Sequence, residues 1–136
     1  MTTIGLRCEG DVLSLATHLG IQVSQPFGGQ ARYDQVWDVN GKLLKIQIKA
    51  CQEIYEGAAI TFSCQPNNKK YEENEIDAIV TCHNEKIYYL SFEEINKSSK
   101  KTLYFNLNKE TALKSNIKQI NWASDYELTI EKLNTL

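Results

Sequence analysis

The 136-residue sequence lacks several features that would assign it to a familiar class. Its four cysteines form no CxxC pair and its two histidines stand apart, so we do not expect a zinc-binding module. It has neither a run of about 18 apolar residues, as a membrane span requires, nor an apolar N-terminal signal segment. Scattered cysteines are typical of small buried side chains in a reducing compartment. We therefore expect a cytoplasmic protein that does not contact a membrane.

A strong excess of basic residues is also missing, because the formal net charge is −2. A basic excess would point to a nucleic-acid-binding domain, but a local basic patch can exist within a nearly neutral total. Apolar residues make up 42% and charged residues 24% of the chain, which is ordinary for a globular protein. We expect one domain, residues 1–136, with no repeats, low-complexity segments or linkers.

Periodicity and turn signals predict a helix followed by several strands and then short helices, an α+β fold with a mixed sheet. Capping-box spacing at Ser91 and Glu94, and again at Ser124 and Glu127, predicts two short helices, the second near 125–134. The first helix is predicted over 5–19, ending at Gly20. Strands are predicted over 21–27, 33–39, 42–50, 58–65, 76–82, 86–92 and 101–107.

The stretch "RYDQVWDVNGKLLKIQIKAC" carries the strongest local signal, a β-hairpin with the two-residue turn Asn40-Gly41. This register places Asp34 opposite Gln47, with Lys49 as the diagonal neighbour on the same face. A solvated face with a salt bridge is the common outcome for such residues. A carboxylate, an amide and an ammonium group on one face also suit a site.

Glu9 is the second unusual residue, because it lies three positions before Val12 on the apolar stripe of the first helix. It could simply interact favourably with the helix dipole. Alternatively, the helix packs on the polar hairpin face and directs Glu9 at Asp34. Two carboxylates near a lysine would suit a hard divalent cation such as Mg²⁺.

The order of motifs resembles the PD-(D/E)XK nuclease superfamily, in particular its group I intron-associated branch, which includes cyanobacterial homing endonucleases. The matching segments are "RCEGDVLSLATHLG", "QPFGGQARYD", "NGKLLKIQIKAC" and "NEIDAIVTCHNEKIYYLSFEEI", and the resemblance spans residues 4 to 107. The acid before the final x-Lys is an amide here, Gln47, which is a known variant in that branch. An amide oxygen brings no charge, so Glu9 is the expected second acid.

The resemblance implies a restriction-endonuclease-like fold with the N-terminal helix on the active-site face and short C-terminal helices. It also implies Mg²⁺, with Mn²⁺ as a substitute, held by Asp34 and the Ile48 carbonyl. Gln47 would orient the metal or its water, and Glu9 would be a direct or outer-shell ligand. Lys49 would lie beside the attacking water and the scissile phosphate. The activity implied is site-specific hydrolysis of double-stranded DNA, as in a homing endonuclease.

Candidate DNA contacts lie in the loop "SQPFGGQAR" and among the lysines. The loop could read base edges, and Arg32 and the lysines could neutralise phosphates, although a plain turn and solvated loop charges are equally common. These residues are Gln25, Gln30, Arg32, Lys45, Lys69, Lys70, Lys97, Lys100 and Lys101. Because one site cuts one strand, a double-strand break implies a homo-oligomer, either a dimer or a dimer of dimers.

Other functions remain open at this stage. The same fold could serve a Holliday-junction resolvase or a repair nuclease that reads DNA shape. The amide at Gln47 also allows a non-catalytic DNA-binding module with a decayed site. A purely structural α+β domain is the fourth alternative.

Overall fold

The computed structural model of the chain describes residues 3–66, 69–106 and 120–136. The helices among them are α1 (Thr3–His18), α2 (Phe92–Ile95) and α3 (Ile130–Leu133), with a 3₁₀ turn at Ala123–Asp125. The strands are β1 (Gln22–Ser24), β2 (Gln35–Val39), β3 (Lys42–Ile48), β4 (Gln52–Ile54), β5 (Ala59–Ser63), β6 (Ala78–His83), β7 (Lys86–Ser91) and β8 (Lys100–Tyr104). Residue 107, the last of the predicted strand 101–107, lies outside the described residues. None of the described helices is long and apolar enough to cross a bilayer.

A five-stranded sheet forms the centre of the fold, with the strand order β1-β2-β3-β6-β7. β3 runs parallel to β6, and the other neighbouring strands are antiparallel, so the sheet is mixed. The predicted α+β fold is therefore confirmed. The predicted hairpin turn is present, with Asn40 and Gly41 at φ values of 54° and 85°. Gln35 pairs with Ile46 as expected.

A second sheet, which the sequence did not predict, has the order β4-β5-β8. It packs on one face of the central sheet, where Ile60 and Leu103 share a core with Ile79 and Leu90. The other face of the central sheet packs against α1. The central sheet is thus covered on both sides, which explains why β6 is apolar along most of its length.

The placement of α1 corrects one expectation. Cys8, Val12 and Ala16 of α1 pack in the cluster that contains Trp37 and Ile46. We predicted that α1 would cover the hairpin face that carries Asp34, Gln47 and Lys49, but it covers the opposite face. The reason is hydrophobic burial, since the apolar side of the hairpin offers the helix stripe far more apolar contact area than the polar side.

The C-terminal helix is shorter than predicted and begins later. Thr129, and not Ser124, is its N-cap, with the Thr129 hydroxyl accepting the Lys132 N–H at 3.2 Å. Ser124 lies inside the 3₁₀ turn. The other capping box is confirmed, because the Ser91 hydroxyl and the Glu94 side chain each accept a backbone N–H at the start of α2.

Candidate active site

Asp34 lies immediately before β2 and is bound to β3 through both its backbone and its side chain. Its N–H donates to the Ile46 carbonyl at 2.8 Å, and its Oδ2 accepts the Ile48 N–H at 2.8 Å. Asp34 is therefore one residue out of the predicted register opposite Gln47. The carboxylate takes the place of a backbone acceptor at the end of the strand ladder, which fixes its position at the end of β3.

Glu9 lies beside Asp34, as the sequence predicted. The pKa of Glu9 is raised, first because the carboxyl is partly buried, then by the Asp34 charge and a hydrogen bond to Asp34. Gln35 of β2 connects the hairpin with α1. It is fully buried, its Nε2 donates to the Glu9 carbonyl at 3.4 Å, and its Oε1 accepts the Trp37 Nε1–H at 3.0 Å.

The contact between α1 and the hairpin explains how Glu9 reaches Asp34 from the opposite face of the sheet. The N-terminal half of α1 runs past the end of β3, where the Cys8 thiol donates to the Lys49 carbonyl at 3.7 Å. Glu9 is at the margin of the buried stripe and not at its centre. Its side chain can thus meet Asp34 at the end of the hairpin.

Gln47 and Lys49 lie on the polar face, and both are half-buried. Gln47 pairs in register with Ile79 of β6, which belongs to the core on that face. Its Nε2 donates to the Ile48 carbonyl at 3.4 Å. The Lys49 N–H donates to the Val80 carbonyl at 2.9 Å, which extends the parallel ladder by one residue and fixes the backbone beneath the Lys49 side chain.

The donor set fits a hard divalent cation. Within residues 3–66, 69–106 and 120–136, no three His, Cys, Asp or Glu side chains cluster as a metal site. The oxygen donors at this site are instead two carboxylates, Glu9 and Asp34, with the Gln47 amide and the Ile48 carbonyl nearby. Adjacent carboxylates repel each other when both are ionised, and a divalent cation relieves that repulsion.

The predicted DNA-contact residues fall into two groups. Two of them already bind elsewhere in the protein: the Arg32 guanidinium pairs with Glu75, and the Lys45 ammonium donates to the Asn74 carbonyl. The remainder carry exposed or half-buried side chains on loops and on β8. They are Gln25, Gln30, Lys69, Lys70, Lys97, Lys100 and Lys101.

One of these lysines, Lys101, acts electrostatically on the same residue as the site lysine, Lys49. Burial raises the pKa of Cys64 to about 11, and both Lys101 and Lys49 act in the opposite direction. The β8 lysine and the site lysine therefore lie within electrostatic range of the same thiol. This places positive charge on the second sheet close to the polar face of the hairpin.

Three residues around the site were not identified from the sequence. Gln35 could have been recognised, because it is a polar residue at a core-facing position of an alternating strand. Tyr71 and Glu75 contact Arg32 from the loop between β5 and β6. No local pattern indicates that this loop returns to the hairpin.

Two comparisons with known proteins bear on this geometry. A family model described as PD-(D/E)XK endonuclease matches residues 3–129. The solved structure of a bacterial homing endonuclease, I-Ssp6803I, aligns with a TM-score of 0.70 at 20% identity, covering 98% of this chain and 95% of that chain. At this identity the likeness shows the fold. No curated protein matches the sequence.

Proposed function

Because the chain belongs to the PD-(D/E)XK endonuclease family, we propose that it is a Mg²⁺-dependent endonuclease that cuts double-stranded DNA at specific sites. The convergence of Glu9 and Asp34 at the end of β3 is the observation that carries this proposal. The structural neighbour is a homing endonuclease, and this supports the same role here. We propose that residues 1–136 act as one nuclease domain.

The residues that would hold the metal are Asp34, Glu9, the Ile48 carbonyl and Gln47. Mg²⁺ would be the natural ion for these oxygen donors, and Mn²⁺ could substitute. A divalent ion bound there supplies Lewis acidity and lowers the pKa of a bound water. Gln47 donates its Nε2 to the Ile48 carbonyl in this structure. Its amide would therefore have to turn before its oxygen could join the ligand set.

The protein groups supply positioning and charge. Asp34 is fixed by the Ile48 N–H, so its free oxygen keeps one orientation. Lys49 would neutralise charge that develops on the scissile phosphate and would hydrogen-bond the attacking water. Glu9, whose pKa is raised by burial and by the neighbouring Asp34 charge, would supply the second carboxylate for the metal.

The lysines on the second sheet would hold the DNA backbone. Lys97, Lys100 and Lys101 line an open groove of about 470 Å³, and Lys101 acts on the same thiol, Cys64, as Lys49. Exposed Gln25 and Gln30 would contact base edges from their loop. We propose a homo-oligomer, since two copies are needed to cut both strands. The cysteines of the described ranges are free, which supports a reducing, cytoplasmic setting.

Cleavage of genomic and plasmid DNA with Mg²⁺, followed by sequencing of the ends, tests the proposal. Asp34→Asn and Lys49→Ala should each lower the cleavage rate about 10²–10³-fold. Asparagine can still accept the Ile48 N–H, so Asp34→Asn should remain folded. Asp11→Asn and Lys42→Ala are matched controls, because both positions are exposed, and they should cleave at the wild-type rate.

Three outcomes would replace the proposal. Preferential cutting of four-way junctions over linear duplexes would favour a resolvase. DNA binding without Mg²⁺-dependent cleavage would favour a non-catalytic module. A protein that neither binds DNA nor responds to Mg²⁺ would be a structural domain.

A further inference from the structure

Arg32 is held by two residues of the loop between β5 and β6. Its Nη1 lies 3.0 Å from Oε2 of Glu75, and its guanidinium carbon lies 5.4 Å from the centre of the Tyr71 ring. The Arg32 side chain is 41% exposed, whereas that of Glu75 is 19% exposed. The guanidinium is thus fixed on two sides while part of it stays open to solvent.

The loop that supplies Tyr71 and Glu75 is itself anchored to the site strand. The Lys45 N–H donates to Asp77 Oδ2 at 2.7 Å, and the Asp77 N–H donates to the Lys45 carbonyl at 2.8 Å. The Lys45 ammonium also donates to the Asn74 carbonyl. These bonds attach the loop to β3, two residues before Gln47.

Within the loop, Glu75 is fixed on both its backbone and its side chain. Its N–H donates to the Glu72 carbonyl at 3.0 Å, and its Oε1 accepts the Glu72 N–H at 2.8 Å. The oxygen that faces Arg32 is the other one, Oε2. A carboxylate held this firmly differs from the mobile partner of an ordinary surface ion pair.

Tyr71 connects this assembly electrostatically with Asp34, the carboxylate proposed to bind the metal. It is 6% exposed, and burial raises the pKa of its hydroxyl to about 12. Arg32 and Asp34 both act on that pKa, in opposite directions. Tyr71 therefore lies within electrostatic range of Asp34 while its ring supports Arg32.

The sequence allowed Arg32 to contact either a phosphate or a base edge, and an arginine fixed in this way suits the phosphate better. Guanidinium groups bind carboxylates and phosphates through the same pair of parallel N–H donors, and stacking on a ring fixes the plane of the fork. Arg32 is two residues before Asp34, so a phosphate that it binds would be close to the one being hydrolysed.

We infer that Arg32 binds a backbone phosphate beside the scissile bond, that Tyr71 positions its guanidinium, and that Glu75 occupies the phosphate position in the free protein. This inference rests on the proposed nuclease function. Tyr71 and Glu75 are positioning residues that never touch the substrate. They should have opposite effects on DNA affinity, because Tyr71 supports the DNA-binding arginine and Glu75 competes for it.

DNA affinity is the direct measurement, made by fluorescence anisotropy on a labelled duplex in EDTA so that no cleavage occurs. Glu75→Gln keeps an acceptor for the Glu72 N–H but removes the competing charge, and should tighten binding about three- to tenfold. Tyr71→Leu should weaken binding by a similar factor, and Tyr71→Phe, which keeps the ring, should restore it. Arg32→Ala should reduce the slope of log affinity against log salt by about 1.

Two further variants make the assignment specific. Glu127→Gln removes the carboxylate of another ion pair, at 3.2 Å from Lys86 on the far edge of the central sheet. It should change affinity less than twofold, so it controls for net charge. In the Arg32→Ala background, Glu75→Gln should lose its effect, because the charge that Glu75 blocks is gone.

The inference would be overturned if the Glu75→Gln variant bound DNA no more tightly than the Glu127→Gln variant. It would also be overturned if Tyr71→Phe lowered the DNA affinity as much as Tyr71→Leu does. If Tyr71→Leu does not fold, the pair Glu75→Gln and Arg32→Ala decides alone. The readout needs no cleavage. Tightening by Glu75→Gln in a protein that never cuts DNA would support phosphate binding by Arg32 but refute the nuclease, and with it the place beside a scissile bond. Cutting without the tightening would support the nuclease and refute the role of Glu75.

Discussion

The buried contact between Gln35 and Trp37 offers a sharp test of how the site is assembled. Both side chains are fully buried, and the Gln35 amide is the acceptor for the indole N–H at 3.0 Å. Gln35→Leu should leave that N–H without an acceptor, which costs about 1–3 kcal/mol of unfolding free energy. Trp37→Phe should strand the Gln35 oxygen in the same way and also lose packing.

The double variant removes both partners, so no polar atom of the pair remains unsatisfied. We expect it to be more stable than the sum of the single effects predicts, with a coupling free energy of about 1–2 kcal/mol. Urea unfolding monitored by circular dichroism measures all four proteins of the cycle. Additive effects within about 0.5 kcal/mol would refute the role assigned to this contact.

The cycle also has a functional readout, because the same amide holds the backbone of Glu9. Gln35→Leu removes the donor to the Glu9 carbonyl. If Glu9 is a metal ligand, the variant should need a higher Mg²⁺ concentration for half-maximal cleavage. Trp37→Phe retains that donor, so its Mg²⁺ requirement should stay closer to that of the wild-type protein.

Three further predictions follow from other features. The pKa of Glu9 is raised, so the folded protein holds the Glu9 proton more tightly than the unfolded chain does, and this contribution to stability is present at acid pH and lost as pH rises through the raised pKa. Urea unfolding measured against pH in EDTA should show a smaller loss of stability in the Asp34→Asn variant than in the wild-type protein. An equal loss would contradict the pairing of Glu9 with Asp34. Cys64, with a pKa of about 11, should react with iodoacetamide at pH 8 far more slowly in the native protein than in urea; equal rates would contradict its burial. Gly41→Ala should lower the free energy of unfolding by about 1–2 kcal/mol, because φ is 85° at Gly41. Gly10→Ala, in open space on α1, should raise the free energy of unfolding by about 0.5–1 kcal/mol. Thermal unfolding of the two variants should therefore show Tm shifts of opposite sign.

The hairpin was predictable because everything that determines it is local. The alternation of side chains and the Asn40-Gly41 turn fix which residues share a face, and neither depends on the rest of the chain. The departure of Asp34 from the register was not predictable in this way. It arises because a side-chain oxygen competes successfully with the backbone for the Ile48 N–H.

Glu9 was predicted beside Asp34 for a reason that proved half wrong. The acid on the apolar stripe was a valid signal, but the helix covers the opposite face and reaches Asp34 past the end of β3. Helix packing depends on which sheet face is more apolar in three dimensions. The sequence pattern of one hairpin did not show that the second sheet would cover its polar face.

The second sheet and the Arg32 contacts depend on long-range pairing. β4 is short and mostly exposed, so it carries no alternating pattern to detect. Tyr71 and Glu75 lie in a polar loop whose sequence resembles any solvated connection. Their positions follow from the bonds between Lys45 and Asp77, which join segments about thirty residues apart in the chain.

The parallel pairing of β3 with β6 has a consequence for how the protein acquires activity during folding. The hairpin can close within microseconds, because its strands are adjacent in sequence. Roughly thirty residues separate β3 from β6 in the sequence, and contacts between segments so far apart form late in folding. The carboxylate of Asp34 can therefore reach its place on β3 early, but the Arg32 contacts wait for the segment that leads into β6. A nascent or refolding chain would thus hold Asp34 in place but lack the Arg32 contacts until β3 had paired with β6.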